Sequence, residues 1–288
     1  MKYSLILVLV LMATFSSCRE SGWKNVSDGQ ITILSSPNSP FPHPDRSVGH
    51  TYHDSLYSFE EHYNDSSVAI FVPESFVKAD SVDLVFYFHG WYNNIHKSLE
   101  QFRLIEQFAN SGKNAILVFP EGPKNAPDSF GGKLEQTGMF KSLVEEVLEE
   151  LQEHKMISAS VPGDIILSGH SGAYRVISAI LNRGGLSANV SEVYLFDALY
   201  GQVENYTHWL DQYSGRFVNI VTPDGGTYYN SLDLMQDFQD WGIPATKYEQ
   251  NQITVEELKQ DNIITIYTSL GHSDVIDPFF EILLKSSQ

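Results

Sequence analysis

Residues 169–173 read Gly-His-Ser-Gly-Ala, one residue after the strand-like run 164–167 (DIIL) and running into a helical pattern at 172–182. A serine at a sharp strand-to-helix turn holds its hydroxyl clear of the backbone as a nucleophile, at strained backbone angles. Strand and helix can approach there only if the residues two positions away are small, as Gly169 and Ala173 are. The partial positive charge of the helix N-terminus then lies near a developing oxyanion. Acyl transfer needs two backbone N–H groups aimed at that oxyanion. Gly172, after the serine, supplies one. Trp91, in His89-Gly90-Trp91 after the apolar run 84–88, supplies the other. A general base must reach the serine, and His272 follows Gly271 in the loop after the run 263–267. The acid that orients this histidine has two candidates. Asp224 sits in Thr222-Pro223-Asp224-Gly225-Gly226, whose turn chemistry already accounts for an aspartate. Asp197 follows the apolar run 193–196, which suits a buried carboxylate, and is preferred. Asp224 stays as the alternative acid.

These residues need a frame. Short apolar runs at 68–72, 84–88, 115–119, 164–167, 193–196, 217–221 and 263–267 predict buried strands. Helical spacing at 98–110, 134–154, 172–182, 231–241 and 275–284 alternates with them. The alternation predicts an α/β fold, with a mostly parallel central sheet and helices on both faces. Every candidate above then falls at the carboxyl end of a strand, where such sheets build their sites. No Pro/Gly-rich linker divides residues 47–288, which read as one domain.

Together the His89-Gly90 loop, the Ser171 turn, the acid and Gly271-His272, in the order Ser–Asp–His, resemble the α/β-hydrolase superfamily over about residues 67–288. The resemblance implies the α/β-hydrolase fold and a covalent acyl-enzyme. Ser171 would attack a carbonyl, His272 would carry the proton, the acid would fix the imidazole, and water would release the acyl group. Ala173 departs from the commoner glycine, within the small-residue requirement. The superfamily spans esterases, lipases, peptidases, amidases and non-hydrolytic members, so it specifies the fold more narrowly than the reaction. A serine hydrolase acting on a carboxylic ester is the leading reading, with no cofactor. A serine peptidase or amidase, and a catalytically silent binding lipoprotein, are the alternatives. No large apolar lid is evident, which argues against a true lipase.

The site also needs a wall. The run Trp91-Tyr92-Asn93-Asn94 is expected to line the pocket, and His89, Gly90, Tyr92, Tyr174 and Arg175 are candidate substrate-binding residues. Arg175 has two readings: a clamp for a substrate carboxylate, or a structural ion pair with Glu121 or an Asp. His43, His50, His53 and His62 lack metal-ligand spacing, so no metal is expected.

The chain of 288 residues carries a net charge of −18. Such a surface repels phosphate backbones and excludes nucleic acid as the main partner. Its one cysteine, Cys18, excludes an internal disulfide, a Cys-x-x-Cys pair and a thiolate zinc cluster. Lys2 precedes the apolar run 5–13, which is too short to span a bilayer, and Ser16-Ser17-Cys18 follow. This resembles the lipobox of a bacterial lipoprotein signal peptide, cleaved before Cys18, with Phe15 departing from the usual aliphatic residue. The alternative is an ordinary cleaved signal in which Cys18 is incidental. Either reading predicts an extracytoplasmic protein. The first adds a lipid anchor to a bacterial membrane, and Arg19 in place of Asp favours the outer membrane. Residues 18–46 read as a tether and irregular segment, with one apolar patch at 31–34. The expected substrate is a small-molecule ester, a glycan ester or a peptide.

Overall fold

A computed structural model describes residues 22–287. The leader and Cys18 lie outside the described residues. The strands are β1 (Lys24–Val26), β2 (Gly29–Ser35), β3 (His50–Tyr52), β4 (Ser55–Tyr57), β5 (Ser67–Pro73) and β6 (Val82–Phe88). They continue as β7 (Ile116–Pro120), β8 (Pro162–His170), β9 (Val190–Phe196), β10 (Arg216–Val221), β11 (Thr246–Glu249) and β12 (Ile263–Tyr267). The helices are α1 (Phe59–His62), α2 (Ile95–Gln101), α3 (Leu104–Ser111), α4 (Met139–Glu153), α5 (Tyr174–Arg183), α6 (Val203–Tyr213), α7 (Tyr228–Asp240), α8 (Val255–Leu258) and α9 (Ile276–Lys285).

Ten strands form one sheet in the order β1-β2-β5-β7-β6-β8-β9-β10-β12-β11. From β7 to β11 every pairing is parallel, and the β1, β2 and β5 edge is antiparallel. Side chains alternate across the strands. Leu84, Phe86 and Phe88 therefore join the core under α4, α5, α6 and α7, while Val85 and Tyr87 join the core under α2, α3 and α9. Both faces are buried, which is why the central strands read as continuous apolar runs.

The N-terminal stretch differs from its reading as tether and irregular structure. The apolar patch at 31–34 is the middle of β2, which pairs with β5 over seven residues. Trp23 Nε1 also donates to Glu150 on α4 at 3.0 Å. The sheet thus begins at β1, well before residue 47. The signal was weak because β2, one strand in from the sheet edge, buries only Thr32 fully. The helix expected at 98–110 is broken into α2 and α3 at Arg103, whose φ is +46°. The break lets Phe102 and Leu104 both be buried. Arg103 also makes a 2.6 Å ion pair with Asp277 on α9.

Candidate active site

β8 delivers His170 and then Ser171, whose φ is +54°. A non-glycine residue held there costs about 1–3 kcal/mol and persists only where its surroundings enforce it. The surroundings are tight. A Cβ on Gly169 would lie 2.6 Å from Ile177 Cδ1 and 2.7 Å from Ala173 Cβ. A Cβ on Gly90 would lie 2.6 Å from Ser171 Cβ, so the loop after β6 presses its bare backbone against the serine. A Cβ on Gly172 would meet the Trp91 ring at 2.6 Å. Gly172 stands in the first turn after Ser171, where leading N–H groups have no intrahelical partner.

β9 ends at Asp197, which is fully buried with φ +46°. His272 Nδ1 donates to Asp197 Oδ2 at 2.6 Å, and the hydroxyls of Thr222 and Thr227 donate to the same carboxylate. Burial opposes ionisation, but these hydrogen bonds outweigh it and hold the Asp197 carboxyl below the usual carboxylate range. With Nδ1 donating, Nε2 of a neutral His272 is an acceptor. Asp224 is exposed and meets a different atom: the backbone N–H of His272 donates to its Oδ1 at 3.2 Å.

His170 holds the histidine loop from below. Its Nε2 donates to the His272 carbonyl at 2.8 Å, and the two rings lie 4.6 Å apart. Burial, reinforced by His272, pushes the His170 imidazole down to about 3, so it is neutral.

Ser171, Gly172, His170 and His272 open onto a cavity of about 530 Å³. Trp91, Tyr92, Phe102, Tyr174 and Tyr200 give it aromatic walls, and Asn93, Lys97, Gln101, Ser129 and Ser273 give it polar ones. Of the Trp91–Asn94 run, Asn94 is not in the wall; its side chain caps α2 by accepting from the Lys97 N–H at 3.0 Å.

Three of the candidate substrate-binding residues are not in the wall. His89 is buried, with Nε2 2.8 Å from Glu121 Oε1 and Nδ1 2.7 Å from the Gly90 carbonyl. It ties the end of β6 to the end of β7. Arg175, one step beyond Tyr174 on α5, turns away from the cavity. It grips Glu135 through two bonds of 2.7 and 2.8 Å and lies over the Phe130 ring. The partner is Glu135, not Glu121. Gly90 contributes closeness to Ser171 and no wall. The sequence reading gave no role to His170, Phe102, Tyr200, Thr222 or Thr227. Tyr200 had a usable signal, an aromatic residue three positions beyond Asp197 in the same strand-end loop. Among the described residues no group of three or more His, Cys, Asp or Glu is placed to hold a metal, and no helix is long and apolar enough to cross a membrane.

No family model and no curated protein matches the sequence. Solved structures do match the fold. A feruloyl esterase module from Clostridium thermocellum superposes with TM-score 0.54 and 11% identity, over 92% of this chain and 95% of that one. FphF, a fluorophosphonate-binding serine hydrolase of Staphylococcus aureus, gives 0.52 and 9%, over 89% and 97%. A ferulic acid esterase gives 0.51 and 15%, over 77% and 91%. With helices on both faces of a mostly parallel sheet, and these superpositions over 77–92% of this chain, the protein has the α/β-hydrolase fold.

Proposed function

We propose that the protein is a serine hydrolase that cleaves a carboxylic ester through an acyl-enzyme. One observation carries the reading. His272, fixed on buried Asp197 at 2.6 Å, opens onto the same cavity as a serine in a left-handed turn. In the proposed reaction Ser171 Oγ attacks the ester carbonyl and His272 Nε2 takes its proton. The N–H groups of Gly172 and Trp91 receive the oxyanion, where one lost donor typically costs 10²–10³-fold, about 2.7–4 kcal/mol. The intermediate collapses, and His272 returns the proton to the leaving alcohol. Water then repeats the sequence and frees the acid. Asp197 stays ionised and holds the imidazole in its productive tautomer. The structural neighbours named as feruloyl esterases favour an ester over an amide. The leader and Cys18 support, in the proposal, an extracytoplasmic enzyme lipid-anchored to a bacterial membrane, where a glycan ester is within reach.

The test is labelling of the mature chain with a fluorophosphonate, and location of the adduct by peptide mass. Adduct at Ser171 that His272→Ala abolishes supports the reading. A folded protein that takes no label is a silent binding scaffold instead. Matched ester and amide substrates then separate the two bond types. Incorporation of a palmitate analogue, lost in Cys18→Ser, tests the anchor.

A further inference from the structure

Part of the cavity wall carries polar side chains that the proposed mechanism does not use. Lys97 and Gln101 stand four residues apart on α2, so they share a helix face, and both line the cavity. Asn93 lines it beside them and is only 6% exposed. The orientation of this amide is fixed, because Asn93 Oδ1 accepts from the Asn94 N–H at 3.0 Å. Nδ2 therefore turns the other way, and it donates to no described protein atom. Asn93 is part of the cavity lining, so this donor is open to an acceptor that enters the cavity from outside the protein. Lys97 points the same way. Its ammonium donates to the Tyr92 carbonyl at 3.1 Å, which uses one of three protons, and it has no carboxylate partner among the described residues. The chain has 36 Asp and Glu residues, yet no described one lines this cavity.

An ammonium and an amide donor with no described protein acceptor, in a cavity wall that no described Asp or Glu lines, match a group that only accepts hydrogen bonds and carries one negative charge. We propose that the Asn93–Lys97–Gln101 end of the cavity binds a carboxylate of the ester substrate. The inference rests on the serine-hydrolase reading and narrows its substrate class to anionic esters. The ammonium gives the charge-assisted bond, and the amide of Asn93 gives it direction. The carboxylate belongs either to the acyl part or to the alcohol part.

Two series of aryl esters test this. One carries the carboxylate on the acyl chain and the other on the phenol, and each ester is paired with its carboxamide counterpart. The expected result is a kcat/KM for the carboxylate at least tenfold above the carboxamide in one series, which also identifies the part that is bound. Lys97→Met should lower that ratio about tenfold, and Lys97→Arg should restore most of it. A ratio near one in both series, or a ratio that Lys97→Met leaves alone, overturns the proposal while Ser171 still takes fluorophosphonate. Failure of Ser171 to label removes the hydrolase reading and the subsite with it.

Discussion

Asp197 and Asp224 stand after the adjacent parallel strands β9 and β10 and engage the same histidine through different atoms. Asp197 is fully buried and takes the His272 ring, with two threonine hydroxyls on the same carboxylate. Asp224 is exposed in a Pro-Asp-Gly-Gly turn and takes the His272 backbone N–H. One carboxylate orients the His272 imidazole and the other holds the chain that carries it. Burial decides the division. An ionised group kept from water must be fully hydrogen-bonded, and that leaves it one geometry. An exposed carboxylate is screened and free to move, so it anchors weakly.

The largest expected effect breaks this contrast at its stronger side. Asp197→Asn keeps the shape but lets the side chain donate to Nδ1, which selects the wrong tautomer of His272. In the proposed mechanism kcat/KM falls about 10³–10⁴-fold, measured by steady-state turnover of an aryl ester. An equal loss in Asp224→Asn would erase the distinction.

Gly225 sharpens it next. A Cβ there would fall 1.4 Å from Asp197 Oδ2, so the carboxylate or the turn must move. Overpacking of this kind costs about 1–3 kcal/mol. Gly225→Ala should lower the unfolding midpoint and, in the proposed mechanism, reduce kcat/KM about 10–100-fold through displaced orientation of the His272 ring. Gly201→Ala is the control, because its Cβ would meet only Tyr174 Cε2 at an ordinary 3.7 Å. If Gly225→Ala behaves like Gly201→Ala, the packing around Asp197 is looser than described.

His170 gives the same region a pH signature. Its folded imidazole titrates at about 3, against about 6.5 for an unfolded histidine. Between these values the unfolded chain binds a proton that the folded one refuses, so stability falls as pH drops below about 6.5. At 1.4 kcal/mol per pH unit, this residue alone removes about 2–3 kcal/mol by pH 4.5. Asp197, with its folded value lowered, stabilises above the ordinary carboxylate range and loses that contribution only at lower pH. Besides Asp197, the charged or titratable neighbours acting on His170 are His272 and His89. Urea midpoints at pH 7.5 and 4.5 should therefore differ less in His170→Phe than in the wild type. A wild-type difference that survives the substitution assigns the acid sensitivity elsewhere.

The sequence made the central strands and the strand-end serine legible because burial on both faces writes itself as unbroken apolar runs. The Ser171 turn was legible because close approach admits only small residues at 169 and 173. Elements with one covered face were not. β2 and β11 alternate weakly, and α6 carries its inward face on Tyr206, Trp209 and Leu210 within a polar, aromatic stretch of low helical preference. His89 and Arg175 had the types of binding residues, but which face of a strand end or helix they occupy is a tertiary fact. Strand alternation sent His89 to Glu121, and one helical step past Tyr174 sent Arg175 to Glu135. The choice between the two aspartates rested on turn chemistry and an apolar approach. The atoms each one meets depend on how β12 returns His272 between the two loops.

The smallest effect belongs to Asp224 and probes the weaker side of the contrast. Asn at this position keeps an oxygen for the His272 N–H and removes only the charge. An exposed change of that kind is worth within about 0.5 kcal/mol of stability. Asp224→Ala removes the acceptor as well and should cost about 0.5–1.5 kcal/mol. Its kcat/KM should fall less than tenfold, because the ring stays on Asp197 while the loop backbone keeps its bond from His170. The two variants together separate charge from anchorage. If Asn is harmless and Ala is not, Asp224 acts through a hydrogen bond to the chain. If Asn already costs as much as Ala, its negative charge is felt at the His272 ring, and the two carboxylates share the work that burial here divides between them.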